Sequence, residues 1–221
     1  MTAMGVDVAQ GGSDKTCLAW RHDWWFAPIV LVPGAATPNP SDAAALVVKH
    51  RRNGCAVIVD CGGGYGGGVA EQLQTHNAIA SVRYKGSAAG IGRTKCRTYA
   101  YANRRAMTWW RFREALDPDQ QGGSPIGLPN DPRIRADLAA PRFTDTPRGL
   151  LLEDKEEIKK RLGRSPDAGD AIVLAWSEGQ DAIRRGVSRP GAAGGWVRPE
   201  VRGSMAERNP VIAKRRAHRY T

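Results

Sequence analysis

Four aspartates stand where carboxylates could act together. Asp7 lies inside an apolar stretch, Gly5-Val6-Asp7-Val8-Ala9, which reads as a short buried strand over 4–9 with the acid in its middle. An ionised carboxylate there is costly unless it is paired or bound to a cation. Asp60 closes Ala56-Val57-Ile58-Val59-Asp60, a β-branched run that predicts a central strand. Ligands gather at the carboxyl ends of strands in open α/β sheets. Asp167 and Asp170 follow Ser165-Pro166, a helix start with proline at its first position. Their i, i+3 spacing puts both on one face.

A helix N-terminus favours nearby anions by only about 0.3–1 kcal/mol. Two carboxylates about 5 Å apart repel by about 3 kcal/mol at an effective dielectric of about 20. Gathering all four therefore calls for cations. Oxygen-only donors suit Mg²⁺ or Mn²⁺ rather than zinc. Two such ions can activate water and stabilise a leaving oxygen at a phosphodiester. Taken singly, a strand-end Asp is more often a turn residue and a Ser-Pro-Asp start more often a cap. The set carries the reading, not any one member. Asp14, in Gly11-Gly12-Ser13-Asp14-Lys15, falls nearby but reads as a turn residue.

The elements that must position these residues alternate. After the first strand, 16–21 and 29–32 read as two more, joined around His22-Asp23, giving an antiparallel meander. Pro40-Ser41 opens a helix through His50, with Ser41 as its N-cap. A glycine-rich turn over 62–68 follows Asp60, then a helix over 69–76 and a strand over 80–85. Ala102, Ala106, Trp109 and Leu116 recur near helical spacing and predict a helix over 98–116, ended by Asp117-Pro118. Residues 118–132 read as a Gly/Pro-rich loop, 142–152 as a hairpin, 155–162 as a charged helix, and 166–183 as the last helix. The pattern is α/β with a mixed sheet flanked by helices and an added β-hairpin.

The chain has 221 residues and a formal net charge of +11, which points to an acidic partner, nucleic acid first. From Arg184 onward ten basic residues face only Glu200 and Glu207. This divides the chain into a globular domain over 1–185 and a flexible basic tail over 186–221. A second basic run has no acid between Glu71 and Glu114: Arg83, Lys85, Arg93, Lys95, Arg97, Arg104 and Arg105. These are the candidate DNA contacts, suited to salt-dependent, sequence-tolerant binding of phosphates. Trp24, Trp25, Trp109 and Trp110 could stack on bases, but the spacing of the latter two favours packing.

Other classes fit poorly. Gly62, Gly64 and Gly67 match the G-x-G-x-x-G form, but the acidic residue expected about 20 positions on is missing. No run approaches the roughly 18 apolar residues of a membrane span. The N-terminus has no basic start and no long apolar segment, so no export signal is expected. The four cysteines form no C-x-x-C pair and the four histidines no zinc spacing, so reduced thiols are expected.

Several stretches resemble the nuclease domain of the large terminase subunit of tailed bacteriophages, of the ribonuclease H-like superfamily. They are Gly5 to Ala9 with Gly12 to Thr16, Val57 to Gly62 with Gly64 and Gly67 to Val69, and Asn103 to Ala106 with Trp110, Arg113 and Glu114. Lys155 to Asp170 is the most specific. Together they cover about residues 4–180. The resemblance implies a ribonuclease H-like fold and a metal-dependent DNA endonuclease that cuts concatemeric viral DNA during packaging. Asp7, Asp60 and Asp170 would ligate two Mg²⁺ or Mn²⁺ ions, with Asp167 assisting. The partners implied are double-stranded DNA, an ATPase motor, the small terminase subunit and the portal, in the host cytoplasm. No G-x-x-x-x-G-K-[ST] motif is present, so ATP hydrolysis is not expected of this chain. Two other readings stay open: a resolvase-type nuclease preferring branched DNA, and a non-catalytic DNA- or portal-binding module.

Overall fold

The computed structural model describes residues 1–9 and 11–177. The basic tail over 186–221 and the end of the last predicted helix, 178–183, lie outside the described residues. The sheet is built from β1 (Ala3–Asp7), β2 (Lys15–His22), β3 (Trp25–Phe26), β4 (Val30–Pro33), β5 (Ala56–Asp60) and β6 (Ser81–Tyr84). Its order is β3-β2-β1-β5-β6, with β4 also on β2. β1 runs antiparallel to β2 and parallel to β5, and β5 parallel to β6, so the sheet is mixed as expected.

The predicted meander is corrected in one respect. β3 and β4 both pair with β2, at Arg21–His22 and Lys15–Leu18 respectively. The third strand is one edge broken between Phe26 and Val30, where Pro28 supplies no N–H for the ladder.

Helices cover both faces. Against one face lie α1 (Pro40–His50) and α2 (Tyr65–Asn77), closing a core of Met4, Val6, Leu18, Val47, Val57, Val59, Val69 and Leu73. Asp42 starts α1 by accepting from both the backbone and side-chain nitrogens of Asn39, so Asn39 rather than Ser41 is the cap. α2 begins inside the glycine run, four residues earlier than expected. Gly66 packs so tightly on the end of β5 that a Cβ there would lie 1.8 Å from the Asp60 carbonyl oxygen.

The other face is occupied by α6 (Asp167–Ser177), buried on every side from Asp167 to Ala175. Outside it pack α3 (Arg104–Leu116) and α4 (Pro132–Ala139). α3 starts six residues later than expected, because Asn103 accepts from Ala106 N at 2.8 Å and caps it there. α4 lies beyond the predicted 118–132 loop and was not expected. The hairpin β7 (Phe143–Thr146) and β8 (Gly149–Leu152) and the charged helix α5 (Lys155–Leu162) fall where predicted. All four cysteines are free. Among the described residues no helix is long and apolar enough to cross a membrane.

Candidate active site

Side chains alternate along a strand, so Gly5 and Asp7 share a face of the sheet, as do Ile58 and Asp60. That face carries α6. Gly5 makes the contact possible: a Cβ there would sit 2.1 Å from the Ala171 carbonyl oxygen. The helix backbone therefore rests directly on β1, and its first turn arrives beside the strand ends.

Asp7 is the last residue of β1, not its middle as expected. Val8 and Ala9 continue the apolar pattern but leave the ladder. Val6 pairs with Val59 across the parallel strands, so Asp7 and Asp60 sit one step beyond, at neighbouring carboxyl ends. Asp167 and Asp170 come in from the first turn of α6.

One cation joins three of the four acids. Lys155 Nζ, at the start of α5, stands 3.0 Å from Asp7 Oδ2, 3.2 Å from Asp170 Oδ2 and 3.6 Å from Asp167 Oδ1. Asp167 Oδ2 also accepts from Lys15 N at 3.2 Å, and Asp60 Oδ1 from Gly62 N at 2.9 Å. The glycine turn thus orients Asp60. Asp14 pairs with Lys159, one turn beyond Lys155 on α5, at 2.8 Å. Arg105 reaches in from α3: its Nη1 donates to the Glu153 carbonyl at 2.8 Å, while Nη2 lies 3.9 Å from Asp170 Oδ1.

The crowding is electrostatically expensive. Burial, together with the charges of Asp170, Asp167 and Asp60, pushes the Asp7 carboxyl up to about 7 against the pull of Lys155. Burial also raises Asp60, with Asp170 adding to it and the Gly62 hydrogen bond opposing it. For Lys155, burial works against the charge, but Asp7, Asp170 and Asp167 outweigh it and hold the ammonium well above the ordinary lysine range.

Two residues essential to this arrangement were not singled out in the sequence. Lys155 opened the charged helix over 155–162 and the most specific resembling stretch, but was given no role of its own. Asp137 lay in the unexpected α4. It is fully buried, pairs with Arg164, and its Oδ2 accepts from Ala168 N at 3.1 Å and Gly169 N at 3.2 Å. It caps the very helix that carries Asp167 and Asp170. The absence of a side chain at Gly169 allows this approach, since a Cβ there would be 2.9 Å from Asp137 Cβ.

The predicted DNA contacts divide. Arg83, Lys85, Arg93, Lys95 and Arg97 are exposed. Arg104 lies over the Tyr84 ring at 4.9 Å, and Arg105 is turned towards Asp170. Lys95 Nζ is engaged by the Glu114 carbonyl and Gln120. Trp109 is buried; Trp110 donates to Glu114 and meets Phe143 edge-on. Trp24 and Trp25 lie at the opposite end of the sheet from the carboxylates, where β2 pairs through Arg21 and His22.

A mixed sheet with acids at adjacent strand ends and at the start of a helix laid across them is the ribonuclease H-like arrangement. Solved structures share the fold. The nuclease domain of the large terminase subunit gp2 of bacterial virus Sf6 matches with a TM-score of 0.60 at 19% identity, over 78% of this chain and 86% of that one. A mutant of the same domain with manganese and beta-thujaplicinol matches equally well. The large terminase nuclease from thermophilic phage G20c matches with a TM-score of 0.50 at 16% identity, over 80% of this chain and 81% of that one. The fold is therefore that of large terminase nuclease domains. The sequence matches no protein-family model and no curated protein.

Proposed function

We propose that this chain is a metal-dependent DNA endonuclease of a viral DNA-packaging terminase, cutting concatemeric genome DNA. The observation that carries the reading is the convergence of Asp7, Asp60, Asp167 and Asp170 at one end of the sheet, three of them around a single cation.

As arranged, the carboxylates turn to Lys155, and among the described residues no three His, Cys, Asp or Glu side chains form a ready metal cage. The donor chemistry still fits hard divalent cations. All four side chains offer oxygen, and three of them already share one cation, Lys155. Asp7, Asp60 and Asp170, assisted by Asp167, would hold two Mg²⁺ or Mn²⁺ ions; manganese accompanies one of the Sf6 structures. Such ions supply an acidified water and charge neutralisation at the leaving 3′-oxygen. The chain's own residues do the rest. β1, β5 and α6 fix the acids, Lys155 limits their repulsion, and Arg105 offers positive charge beside Asp170. Lys85, Arg93, Lys95 and Arg97 hold the phosphates of double-stranded DNA. The wider setting we infer is the host cytoplasm, with an ATPase motor, small terminase subunit and portal as partners.

The occupation of the acid cluster by Lys155 also suits a second reading, a DNA- or portal-binding module that does not cut. Supercoiled plasmid incubated with the protein and Mn²⁺ or Mg²⁺, beside EDTA and Asp60→Asn controls, separates them. Metal-dependent nicking lost in the variant is expected. Binding without cutting by the folded protein supports the module.

A further inference from the structure

Ile91 is 74% exposed, far more than any other large hydrophobic side chain among the described residues; Tyr65 follows at 53%. An isolated surface isoleucine would be unremarkable on a loose loop, but this one is held firmly in place. Its N–H points to Met107 Sδ at 3.3 Å, and its carbonyl accepts from Arg111 Nη2 at 2.8 Å. Both backbone groups of Ile91 are thus engaged by α3, and the side chain is what remains to project.

The flanking turn is anchored too. Gly90 runs so close to Tyr101 that a Cβ would lie 2.6 Å from Tyr101 Cβ. Gly92 adopts φ +83°, which favours glycine. Arg104 N donates to the Ala88 carbonyl at 2.7 Å and Arg105 N to Gly86 at 2.9 Å. The turn therefore rides on the first turns of α3, the helix whose Arg105 reaches Asp170. Exposed Arg111 lies against the turn at Ile91 and Gly92, and exposed Lys85, Arg93, Lys95 and Arg97 belong to the same stretch of chain.

We propose that Ile91 is an apolar wedge that enters between base pairs of the bound duplex and unstacks them beside the cutting site. The inference rests on the nuclease reading above. A single aliphatic tip with Arg111 against it, in a stretch of chain rich in exposed cations, suits a duplex, whose phosphates take the cations and whose stacked bases take the tip. It offers too little apolar area for a protein partner, whose contact needs a contiguous buried centre. Wedging is cheapest at pyrimidine–purine steps, so cutting should favour them without reading base edges.

The test places 2-aminopurine at successive positions of a short duplex and compares the wild type with Ile91→Ala. Both substitution and side chain are at the surface, so thermal unfolding should be unchanged. The wild type should brighten one or two adjacent positions by at least about twofold, as local unstacking requires. Ile91→Ala should abolish the signal and lose the step preference in metal-dependent cutting, with the salt dependence of binding intact. If the wild type binds and cuts but brightens no position, or Ile91→Ala brightens like the wild type, the wedge is overturned and the nuclease stands. If the wild type neither binds nor cuts duplex, the nuclease reading fails and the wedge with it.

Discussion

At the scale of single residues, the acid cluster carries its cost in the folded state. The Asp7 carboxyl is raised to about 7 from its usual 3.8, mainly by burial. Between those values the folded chain holds a proton that the unfolded chain has released. Its contribution to stability is therefore complete at low pH and declines as pH rises towards 7. In EDTA, Asp7→Asn should melt several degrees above the wild type at pH 8, and the difference should shrink towards pH 4. Thermal scans at the two pH values measure this directly. The same variant should not cut plasmid. Cys96 gives an independent check on the basic loop. Hydrogen bonding by Thr94, and then Thr98, lowers its thiol to about 7, and it is exposed. Alkylation by iodoacetamide should reach half its maximal rate near that pH, while buried Cys17, raised by burial, stays inert in the native protein.

At the scale of elements, the site depends on where α6 begins and what it lies on. Asp137 fixes the beginning, through two backbone hydrogen bonds. Asp137→Ala should cost about 2–4 kcal/mol in urea unfolding, by removing a buried cap and stranding Arg164. Gly5 fixes the bed. Gly5→Ala would force the helix off β1 and should cost at least about 3 kcal/mol, more than an ordinary surface change. Much of this frame was legible beforehand. The β-branched run placed β5 to the residue, and the charge pattern placed α5. The tight Thr146-Pro147-Arg148-Gly149 turn placed the hairpin. α4 was not legible, since Pro132 to Ala139 offers only Ile134 and Leu138 as large apolar residues among charged ones. Asp137 was hidden with it. Lys155 was missed because a lysine among Glu156, Glu157, Lys159 and Lys160 looks like a solvated face. Its partners lie about 150 positions upstream, or a turn and a loop away. The glycine run read as a turn because helix propensity disfavours glycine; tight packing of Gly66 on β5 overrides it.

At the scale of the whole chain, four acids gather at one end of the sheet while the formal charge is strongly positive, and the proposed function predicts a particular response to salt. With a formal balance of +11, the proposed binding to duplex DNA should be steeply salt-dependent. Arg93→Glu should weaken binding uniformly across sequences and reduce the slope of log K against log salt by about 1. Fluorescence anisotropy at several salt concentrations tests it. The acids of the cluster should not share this behaviour, because they are enclosed rather than screened.

The complete enclosure of α6 has a kinetic corollary. A helix with no solvent-facing side from Asp167 to Ala175 cannot fray along its length while the sheet and outer helices stay in place. Its amide protons should exchange with deuterium only when the entire domain opens, whereas those of the 86–100 loop exchange through small local openings. Gradual loosening of the periphery would leave the strand-end acids aligned, and their alignment would then vanish in one step.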